Sequence, residues 1–411
     1  MKEKQRRIKY YLKTIEEDPE AFDECVELAD LYLEVGDIPK ARAYYEKALL
    51  INPTCSITHN ELGLLLERDG NVGEAMRSYK AALLVDPGFA EAHNNIGNLR
   101  HEEGDLDGAI KSYKKAIKSD PLLAEAFNNI GNVKVDLGKN KSAIKNFRKA
   151  LEIDPKMAEP YINLGNLYKD IGQIEDAIAN YRVALRLSPK EEATRHNLNA
   201  ALGKTTKHAP KDFVQEIFDE YAPRFDSHLV DDLGYKIPSI LRESIEAVYS
   251  DWNMPRGLDL GCGTGICGSV FSDKVVEMVG IDISPKMLEV SKNKKVYSEL
   301  VLGELNEILS ERTDQFDFFV SADVFIYVGD LDSIFSSVKR LSNGKALFVF
   351  STEHVEGDSY VLLPSGRYAH SEKYIKKLSS QYGFSRTSFS FEKVRREGEK
   401  WIKGGVYILE T

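Results

Sequence analysis

The first half of the chain carries apolar side chains at helical spacing, and the pattern returns every 34 residues. Four columns of residues keep that interval: one of proline, one of alanine, one of aromatic residues and one of glycine. They are Pro19, Pro53, Pro87, Pro121, Pro155 and Pro189; Ala41, Ala75, Ala109, Ala143 and Ala177; Tyr45, Tyr79, Tyr113, Phe147 and Tyr181; and Gly36, Gly70, Gly104, Gly138 and Gly172. Such a period predicts stacked supersecondary units that share one continuous core.

One unit, residues 90–123, shows what each repeat predicts. Gly104 permits the left-handed backbone that turns the chain between two helices. The second helix places Ala109, Tyr113 and Ala116 on one face, and a proline then ends it. The period and these positions resemble tetratricopeptide (TPR) repeats. The resemblance implies an all-α solenoid over residues 1–203, with capping helices and repeats near 22–55, 56–89, 90–123, 124–157 and 158–191.

The first helix of successive repeats carries asparagines at matching positions. They are Asn94, Asn95 and Asn98, then Asn128, Asn129 and Asn132, then Asn163 and Asn166. Side-chain amides donate and accept hydrogen bonds, so this ladder could hold the backbone of a peptide in the groove that TPR arrays typically offer. Asparagines at these positions could equally bond only to neighbouring helices. Both interpretations stay open.

After Gly203 the pattern changes to a polar linker, residues 204–212, and then to short apolar runs that alternate with helical segments. Strands are predicted near 256–260, 276–282, 298–302, 316–322, 345–351, 385–391 and 404–410, and the clearest helices near 285–293, 330–341 and 371–382. Continuous apolar strands between helices predict an α/β Rossmann-like domain over residues 213–411, with a mostly parallel seven-stranded sheet. Such sheets bind ligands at the carboxyl ends of their strands.

The stretch GLDLGCGTGICG, residues 257–268, follows the first of these strands and fits two cofactors. It contains the G-x-G-x-x-G of dinucleotide sites, and Asp282 after the next strand suits a ribose in either case. A dinucleotide would bring its pyrophosphate to the following helix N-terminus, where the carboxylate of Asp259 would oppose it. S-adenosylmethionine (SAM) brings an ammonium group, which Asp259 would attract. The sequence therefore favours SAM over a nicotinamide cofactor.

The motifs DLGCGTG and VGIDISPKMLEVSK resemble the first two motifs of class I SAM-dependent methyltransferases, over about residues 211–411. The pattern is similar to methyltransferases of quinone and biotin pathways and to bacterial TPR-methyltransferase fusions. The resemblance implies that SAM is bound by Asp259, Gly261, Cys262, Gly263, Gly265, Asp282, Ile283, Met287, Glu304, Leu305 and Asp323. Asp282 would hold the ribose diol, and Ile283 and Met287 would pack on the adenine. The segment 321–324 lacks the motif of enzymes that methylate amino groups of DNA bases or glutamine, which argues against those acceptors.

Three side chains are candidates for acceptor chemistry: His370, Tyr327 and Tyr221. Methyl transfer is an in-line displacement, so a base is needed only when the acceptor arrives protonated. His370 lies in LLPSGRYAHS and has a useful ordinary pKa of about 6.5. Tyr221, Phe225 and His228 lie in a segment that resembles the helical lid of these enzymes, where aromatic faces would favour a sulfonium. Tyr221, Phe225 and His228 could equally serve packing alone, whereas a surface or core position is the favoured alternative for His370 and Tyr327.

Composition narrows the classes of partner. The formal charge of −10 leaves no basic excess for nucleic acid, and the four cysteines are too few and scattered for a disulfide framework or a zinc site. We predict no metal. The N-terminus lacks the apolar core of a signal peptide, and no apolar run is long enough for a membrane helix. The sequence therefore predicts a cytoplasmic protein without membrane or nucleic-acid partners.

The sequence supports three functions. The favoured one is a SAM-dependent methyltransferase whose TPR domain recruits a protein substrate or partner. The second is a methyltransferase for a small molecule or a carrier-bound acid, which the TPR array only localises. The third is a non-catalytic scaffold that binds SAM, and the intact glycine loop with Asp259 and Asp282 weighs against it.

Overall fold

The computed structural model describes residues 2–227, 234–397 and 400–411. The chain divides into two compact units, Met1–Leu167 and Tyr168–Thr411. This division falls inside the last predicted repeat, whereas the sequence pattern changes near residue 203. The second unit therefore contains the final helices of the repeat array as well as the α/β domain.

The first unit is all helical, as predicted. Its helices are α1 (Lys2–Glu17), α2 (Phe22–Glu34), α3 (Ile38–Ile51), α4 (Ser56–Arg68), α5 (Val72–Val85), α6 (Ala90–Glu102), α7 (Leu106–Ser119), α8 (Ala124–Asp136), α9 (Asn140–Ile153) and the first turns of α10 (Glu159–Asp170). Helices α2 to α9 pack as consecutive pairs, and α1 packs against α2. Tyr113 is buried between helices, and a Cβ on Gly97 would overlap its ring, which explains the glycine there. The solenoid core thus alternates large rings with small residues.

The second unit begins with helices and continues as an α/β domain. The leading helices are the end of α10, then α11 (Ile174–Leu187), α12 (Glu192–Ala201), α13 (Lys211–Tyr221), a 3₁₀ turn (Ala222–Arg224), α14 (Phe225–Ser227) and α15 (Ile237–Val248). The elements that follow are β1 (Met254–Leu260), α16 (Ile266–Phe271), β2 (Val275–Asp282), α17 (Pro285–Lys294), β3 (Glu299–Leu302), α18 (Leu305–Glu311), β4 (Phe316–Ser321), a 3₁₀ turn (Phe325–Tyr327), α19 (Asp332–Leu341), β5 (Ser342–His354), β6 (Tyr360–Leu362), β7 (Tyr368–His370), α20 (Glu372–Gln381), β8 (Ser385–Glu397) and β9 (Lys400–Glu410).

The sheet confirms the predicted mostly parallel α/β fold. Strands β3, β2, β1, β4 and β5 lie in that order and pair in parallel, β9 pairs antiparallel with β5, and β8 pairs with β9. The described chain has two short strands beyond the seven predicted, because β6 and β7 form a hairpin whose β7 pairs with the end of β5. The chain order reverses between β1 and β4, and their carboxyl ends meet there. A binding site is expected at this switch point.

The segment that connects α12 to α13, residues 202–210, is bonded to the α/β domain through its backbone. The carbonyl of Lys207 accepts from the amide of Gly329 at 2.8 Å, and the amide of Ala209 donates to the carbonyl of Tyr327 at 3.0 Å. These bonds fix the polar residues that the sequence marks as a linker. We call residues 202–210 the connecting segment.

None of the described helices is both long and apolar enough to cross a lipid bilayer.

Candidate functional site

A cavity of about 560 Å³ lies at the carboxyl ends of β1, β2, β3 and β4, beneath α13. Its volume is within the usual range for small-molecule sites. The predicted site residues that line it are Gly261, Gly263, Asp282, Ile283, Glu304, Leu305, Asp323, Tyr221 and Tyr327. The structure therefore brings most of the predicted residues to one place.

Glycines allow the backbone conformation of the loop between β1 and α16. Gly261, Gly263 and Gly265 have φ of +85°, +53° and +87°, in the left-handed region. A Cβ on Gly261 would overlap the side chain of Val324, which lies just after β4. The amide of Gly261 donates to the carbonyl of Ile281 at 2.9 Å. The loop therefore packs closely against the end of β2 and against the side chain of Val324.

Asp282, the last residue of β2, lies against this loop. Its Oδ2 accepts from the amide of Gly263 at 2.7 Å, and its Oδ1 accepts from the amide of Ser284 at 2.9 Å. Burial raises the pKa of Asp282, and these backbone donors oppose the rise because they favour the charged form. A carboxylate held in this way presents its remaining lone pairs to the cavity. It is suited to bind a pair of hydroxyl groups.

Asp259, which the sequence predicts to attract the ammonium group of SAM, lies behind the cavity wall. It is fully buried and is not part of the cavity wall. Its Oδ2 accepts from the hydroxyl of Tyr297 at 2.6 Å, and that hydroxyl accepts from the amide of Gly268 at 3.0 Å. Its Oδ1 is buried and has no hydrogen-bond donor among the described residues. Burial raises the pKa of Asp259 to about 7.

Three more residues that were predicted to bind the cofactor lie behind the cavity wall. Cys262 is buried against Gly280, where a Cβ would lie 2.8 Å from its sulfur, and burial raises the pKa of its thiol. Gly265 is the N-cap residue of α16, and Met287 is fully buried in α17. None of the three lines the cavity. Their contribution in this geometry is to the shape of the loop and to the packing beneath it.

Aromatic side chains of α13 and the turn after it cover the cavity. Phe218, Tyr221 and Phe225 line it. The rings of Tyr221 and Phe225 meet edge to face with centroids 5.0 Å apart, and those of Phe218 and Tyr327 do so at 5.4 Å. Phe218 was missed from sequence, although its helical spacing from Tyr221 could have indicated it. His228 lies outside the described residues.

Two carboxylates bind this aromatic cover to the strand ends. Asp226 accepts from the hydroxyl of Thr264 in the glycine loop and pairs with Lys294 at 2.6 Å. Asp219 accepts from the hydroxyl of Ser284 at 2.5 Å. The cover is therefore held over the end of β2 and over the glycine loop.

The candidates for acceptor chemistry separate into two groups. Tyr221 and Tyr327 line the cavity, whereas His370 does not. His370 is fully buried, and its Nε2 donates to the carbonyl of Gly329 at 2.9 Å. Burial lowers the pKa of its ring to about 4, so the ring stays neutral near pH 7. In this geometry His370 anchors β7 and has no access to a ligand in the cavity.

Asp323 and Arg367 add an acidic and a basic side chain to the same wall. Asp323 follows β4 with φ of +62°, which is uncommon outside glycine, and its amide donates to the hydroxyl of Ser351 at 2.9 Å. Such backbone often marks a functional position. Arg367 precedes β7 and lines the cavity, although no role was assigned to it from sequence. The short hairpin that carries it left no clear pattern in the chain.

The predicted asparagine ladder of the first unit is bonded mostly to itself. Side-chain amides donate from one repeat to the next at 3.0–3.1 Å, and the pairs are Asn95 to Asn60, Asn129 to Asn94 and Asn98, and Asn163 to Asn128. Asn132 and Asn166 are half-buried. These bonds stabilise the stacking of repeats and occupy part of the capacity that a peptide would need. Peptide binding at this ladder stays a prediction.

Asp259 should make stability depend on pH in a direction opposite to that of a salt-bridged carboxylate. Its pKa of about 7 in the fold exceeds the value of about 3.9 expected in the unfolded chain. Between these values the native state binds more protons, so the free energy of unfolding falls as pH rises. The variant Asp259→Asn lacks the carboxyl group and therefore lacks this pH dependence. It should therefore gain stability relative to the parent between about pH 5 and about pH 8.

Thermal unfolding of both proteins at the two pH values measures this difference. The variant Tyr297→Phe is the matched control, because it removes the donor that favours the charged form and should extend the pH window upward. An equal difference between Asp259→Asn and the parent at both pH values would contradict the assignment.

Comparisons with protein families agree with the geometry. A family model described as a methyltransferase domain matches residues 258–350. Models of tetratricopeptide repeats match residues 26–83, 97–138, 131–172 and 158–191. The methyltransferase match contains the glycine loop, Asp282 and the turn after β4. Both predicted families are thereby confirmed.

Individual relatives match only parts of the chain. An 18S rRNA (guanine-N(7))-methyltransferase of Bos taurus is 38% identical over 64 residues, which are 16% of this chain and 23% of the relative. A ubiquinone biosynthesis O-methyltransferase of Thiobacillus denitrificans is 30% identical over 127 residues, 29% of this chain and 52% of the relative. The solved structure of MamA is 26% identical, covers 40% of this chain and 96% of MamA, and has a TM-score of 0.35.

The chain thus spans about a quarter of the first of these curated relatives and about half of the second. The chain contains a methyltransferase domain, matched over residues 258–350, and an array of tetratricopeptide repeats.

Proposed function

We propose that the chain transfers a methyl group from SAM to an acceptor bound in the cavity, and that its TPR array recruits a protein. The observation that carries the first part is Asp282, which two backbone amides hold at the wall of the switch-point cavity. Transfer leaves S-adenosylhomocysteine and, where the acceptor atom carried a hydrogen, a proton.

The residues present fit SAM. Asp282 can accept hydrogen bonds from both ribose hydroxyls, and Glu304 and Leu305 lie in the wall after β3, where the adenine edge is expected. The unpartnered Oδ1 of Asp259 is a buried acceptor next to the glycine loop, and it suits a cationic donor better than a diphosphate. When bound, SAM supplies a methyl group activated by a sulfonium.

The protein's own contribution is alignment and exclusion of water. Phe218, Tyr221 and Phe225 cover the cavity, and their faces favour a cation near them. Tyr221 and Tyr327 carry hydroxyl groups in the wall and can orient an acceptor. No general base is required for an acceptor that arrives deprotonated.

The acceptor class is part of this proposal. The bovine relative is named for an rRNA guanine and the bacterial one for O-methylation in ubiquinone biosynthesis. A formal charge of −10 disfavours RNA, because binding of the phosphate backbone relies on basic residues. A protein recruited by the TPR array, a small molecule and a carrier-bound acid remain, in a cytoplasmic setting.

Incubation of the full chain with methyl-labelled SAM and a cell extract tests this proposal. Label should enter the protein or the small-molecule fraction only when the chain is present, and an Asp282→Ala chain should transfer none above background. Label in protein supports recruitment of a protein substrate, and label in small molecules supports the second acceptor class. Binding of SAM without any transfer would instead indicate the non-catalytic scaffold.

A further inference from the structure

The cavity wall contains a histidine to which the sequence assigned no role. His208 lies in the connecting segment and lines the cavity together with Tyr327 and Val328, which follow β4. The residue is also exposed, so its ring keeps access to water. A histidine that meets both a ligand cavity and solvent is a candidate for proton transfer.

The backbone around His208 is held at a defined position. The residues on either side of it, Lys207 and Ala209, bond to the backbone that follows β4, and His208 itself forms an antiparallel bridge with Val328. Residues that lie directly opposite each other in such a bridge share one face, and Val328 also lines the cavity. This support is the kind that a reacting side chain requires.

A hydrogen bond selects the tautomer of the His208 ring. Its Nδ1 lies 3.1 Å from the carbonyl oxygen of Ala209. A carbonyl can only accept, so the proton of the neutral ring is on Nδ1 and the lone pair is on Nε2. Nε2 has no hydrogen-bond partner among the residues that the structure describes. The ring therefore offers Nε2 as a proton acceptor.

The acidic side chains of the wall are less suited to this task. Glu304 caps α18 by accepting from the amide of Glu307 at 3.0 Å, and Glu307 pairs with Lys211 at 3.1 Å. Asp282 accepts from two backbone amides. These carboxylates and that of Asp323 are also intrinsically weaker bases than an imidazole.

Charged and titratable groups of both signs surround His208. Burial lowers the pKa of His196 on α12, and positive charge on His208 is a lesser cause of that shift, so the two rings lie near each other. The other groups on neighbouring elements are Lys207 and Lys211 along the chain, Tyr327 and Asp330 after β4, and Arg367 and Tyr368 on the hairpin. Their signs are mixed, so no one sign of charge dominates around the ring.

We propose that Nε2 of His208 is the general base for methyl transfer, and that the acceptor group arrives protonated, as a hydroxyl or an ammonium does near neutral pH. The inference rests on the proposed methyltransferase function and narrows its acceptor class. The acceptor's proton passes to Nε2, and the electron pair that it leaves on oxygen or nitrogen forms the bond to the methyl carbon. The bond from that carbon to sulfur breaks with its electron pair on sulfur, which leaves S-adenosylhomocysteine. The exposed imidazolium then loses its proton to water.

The test compares the parent with His208→Gln, which keeps a polar side chain at this exposed position. Each full chain is incubated with methyl-labelled SAM and the same cell extract, and the initial rate of label transfer is measured between about pH 5 and about pH 9. The parent rate should rise with pH and reach a plateau once the ring is neutral. In His208→Gln the acceptor must lose its proton to water, so the rate should be at least about 100-fold lower at neutral pH and should keep rising to the alkaline end.

The comparison between the two chains excludes the other group that titrates in this range. Asp259 has a pKa of about 7 in the fold. A plateau that arises from Asp259 would persist in His208→Gln. Its survival there at the parent rate would overturn the role of His208.

Added imidazole separates proton transfer from a structural effect. Imidazole in solution should restore part of the rate of His208→Ala, because the position is open to water. Lys207→Gln is the matched control, since the side chain of Lys207 is 77% exposed and does not line the cavity. The control should transfer at the parent rate and should not respond to imidazole. No gain with imidazole in a His208→Ala chain that still binds S-adenosylhomocysteine would overturn the assignment.

The labelled product reports the acceptor group. A methyl ether or a methylated amine keeps its label in mild alkali, whereas a methyl ester releases it as methanol. We expect stable label. Release of the label by alkali would overturn the inference, because a carboxylate arrives ionised and needs no base.

Nitrogen NMR of the ring tests the geometry without turnover. In a chain with isotope-labelled histidine, the ring resonances that disappear in His208→Gln belong to His208. In the neutral ring they should show the proton on Nδ1, and the opposite tautomer would overturn the inference. A parent chain that transfers no label contradicts the proposed function, whereas equal rates in the parent and His208→Gln contradict only the present inference.

Discussion

Asp282→Ala should weaken the binding of SAM by about 100-fold. Its carboxylate lines the cavity and is already oriented by the amides of Gly263 and Ser284, so the ligand hydroxyls meet an acceptor that need not reorganise. Two hydrogen bonds to a charged group are lost, and each contributes about 1.5 kcal/mol or more. The alanine also leaves the amide of Gly263 without its acceptor, which loosens the loop that faces the ligand.

Calorimetric titration of SAM into the full chain measures this loss. Glu277→Ala is the matched control, because Glu277 lies on the same strand, is exposed and does not line the cavity. It should bind SAM as the parent does. An Asp282→Ala chain with the affinity of the parent would show that the ribose is bound elsewhere.

Gly261→Ala should both destabilise the second unit and abolish SAM binding. Its φ of +85° is unfavourable for alanine, and the new Cβ would overlap the side chain of Val324 at the end of β4. Overpacking of this kind costs about 3 kcal/mol, and here the backbone strain adds to it. We expect the loop to relieve the overlap by moving away from β4, which distorts the wall that includes Gly261 and Val324.

Gly263→Ala provides the comparison, since both glycines lie in one loop. Its φ is +53°, within the region that other residues occasionally occupy, and no atom lies within 4 Å of the added Cβ. It should cost about 1 kcal/mol and leave a folded chain. Thermal unfolding followed by SAM titration of both variants tests the difference. Similar losses of stability in the two chains would mean that Val324 yields and that the close approach is unimportant.

Local signals account for what could be predicted from sequence. The repeat period, the left-handed glycines and the alternation of apolar runs with helices each act within a few residues, and they fixed the fold class correctly. Asp282 was identifiable because it ends a strand next to a glycine loop, and its position follows from parallel pairing of β1 with β2. The cavity at the strand ends followed from topology alone.

Contacts between distant residues account for what could not be predicted. Asp259 is covered by Tyr297, a residue 38 positions away, and the burial that results could not be read from the sequence around Asp259. His370 is buried and bonds to Gly329, a residue 41 positions away. The strands β6 and β7 have three residues each, too few for an alternation pattern to appear. The position of Arg367 depends on that hairpin and was therefore hidden as well.

An insertion in the connecting segment would change the geometry of the cavity wall. Flexible spacers tolerate added residues at small entropic cost. Here Lys207 and Ala209 bond on either side of a bridge between His208 and Val328, so the segment behaves as a short extra strand with a fixed register. One added residue would shift that register and displace Tyr327 from Phe218. The connecting segment therefore has a fixed length. A recombination event that exchanges the preceding helices would have to keep the same number of residues in this segment.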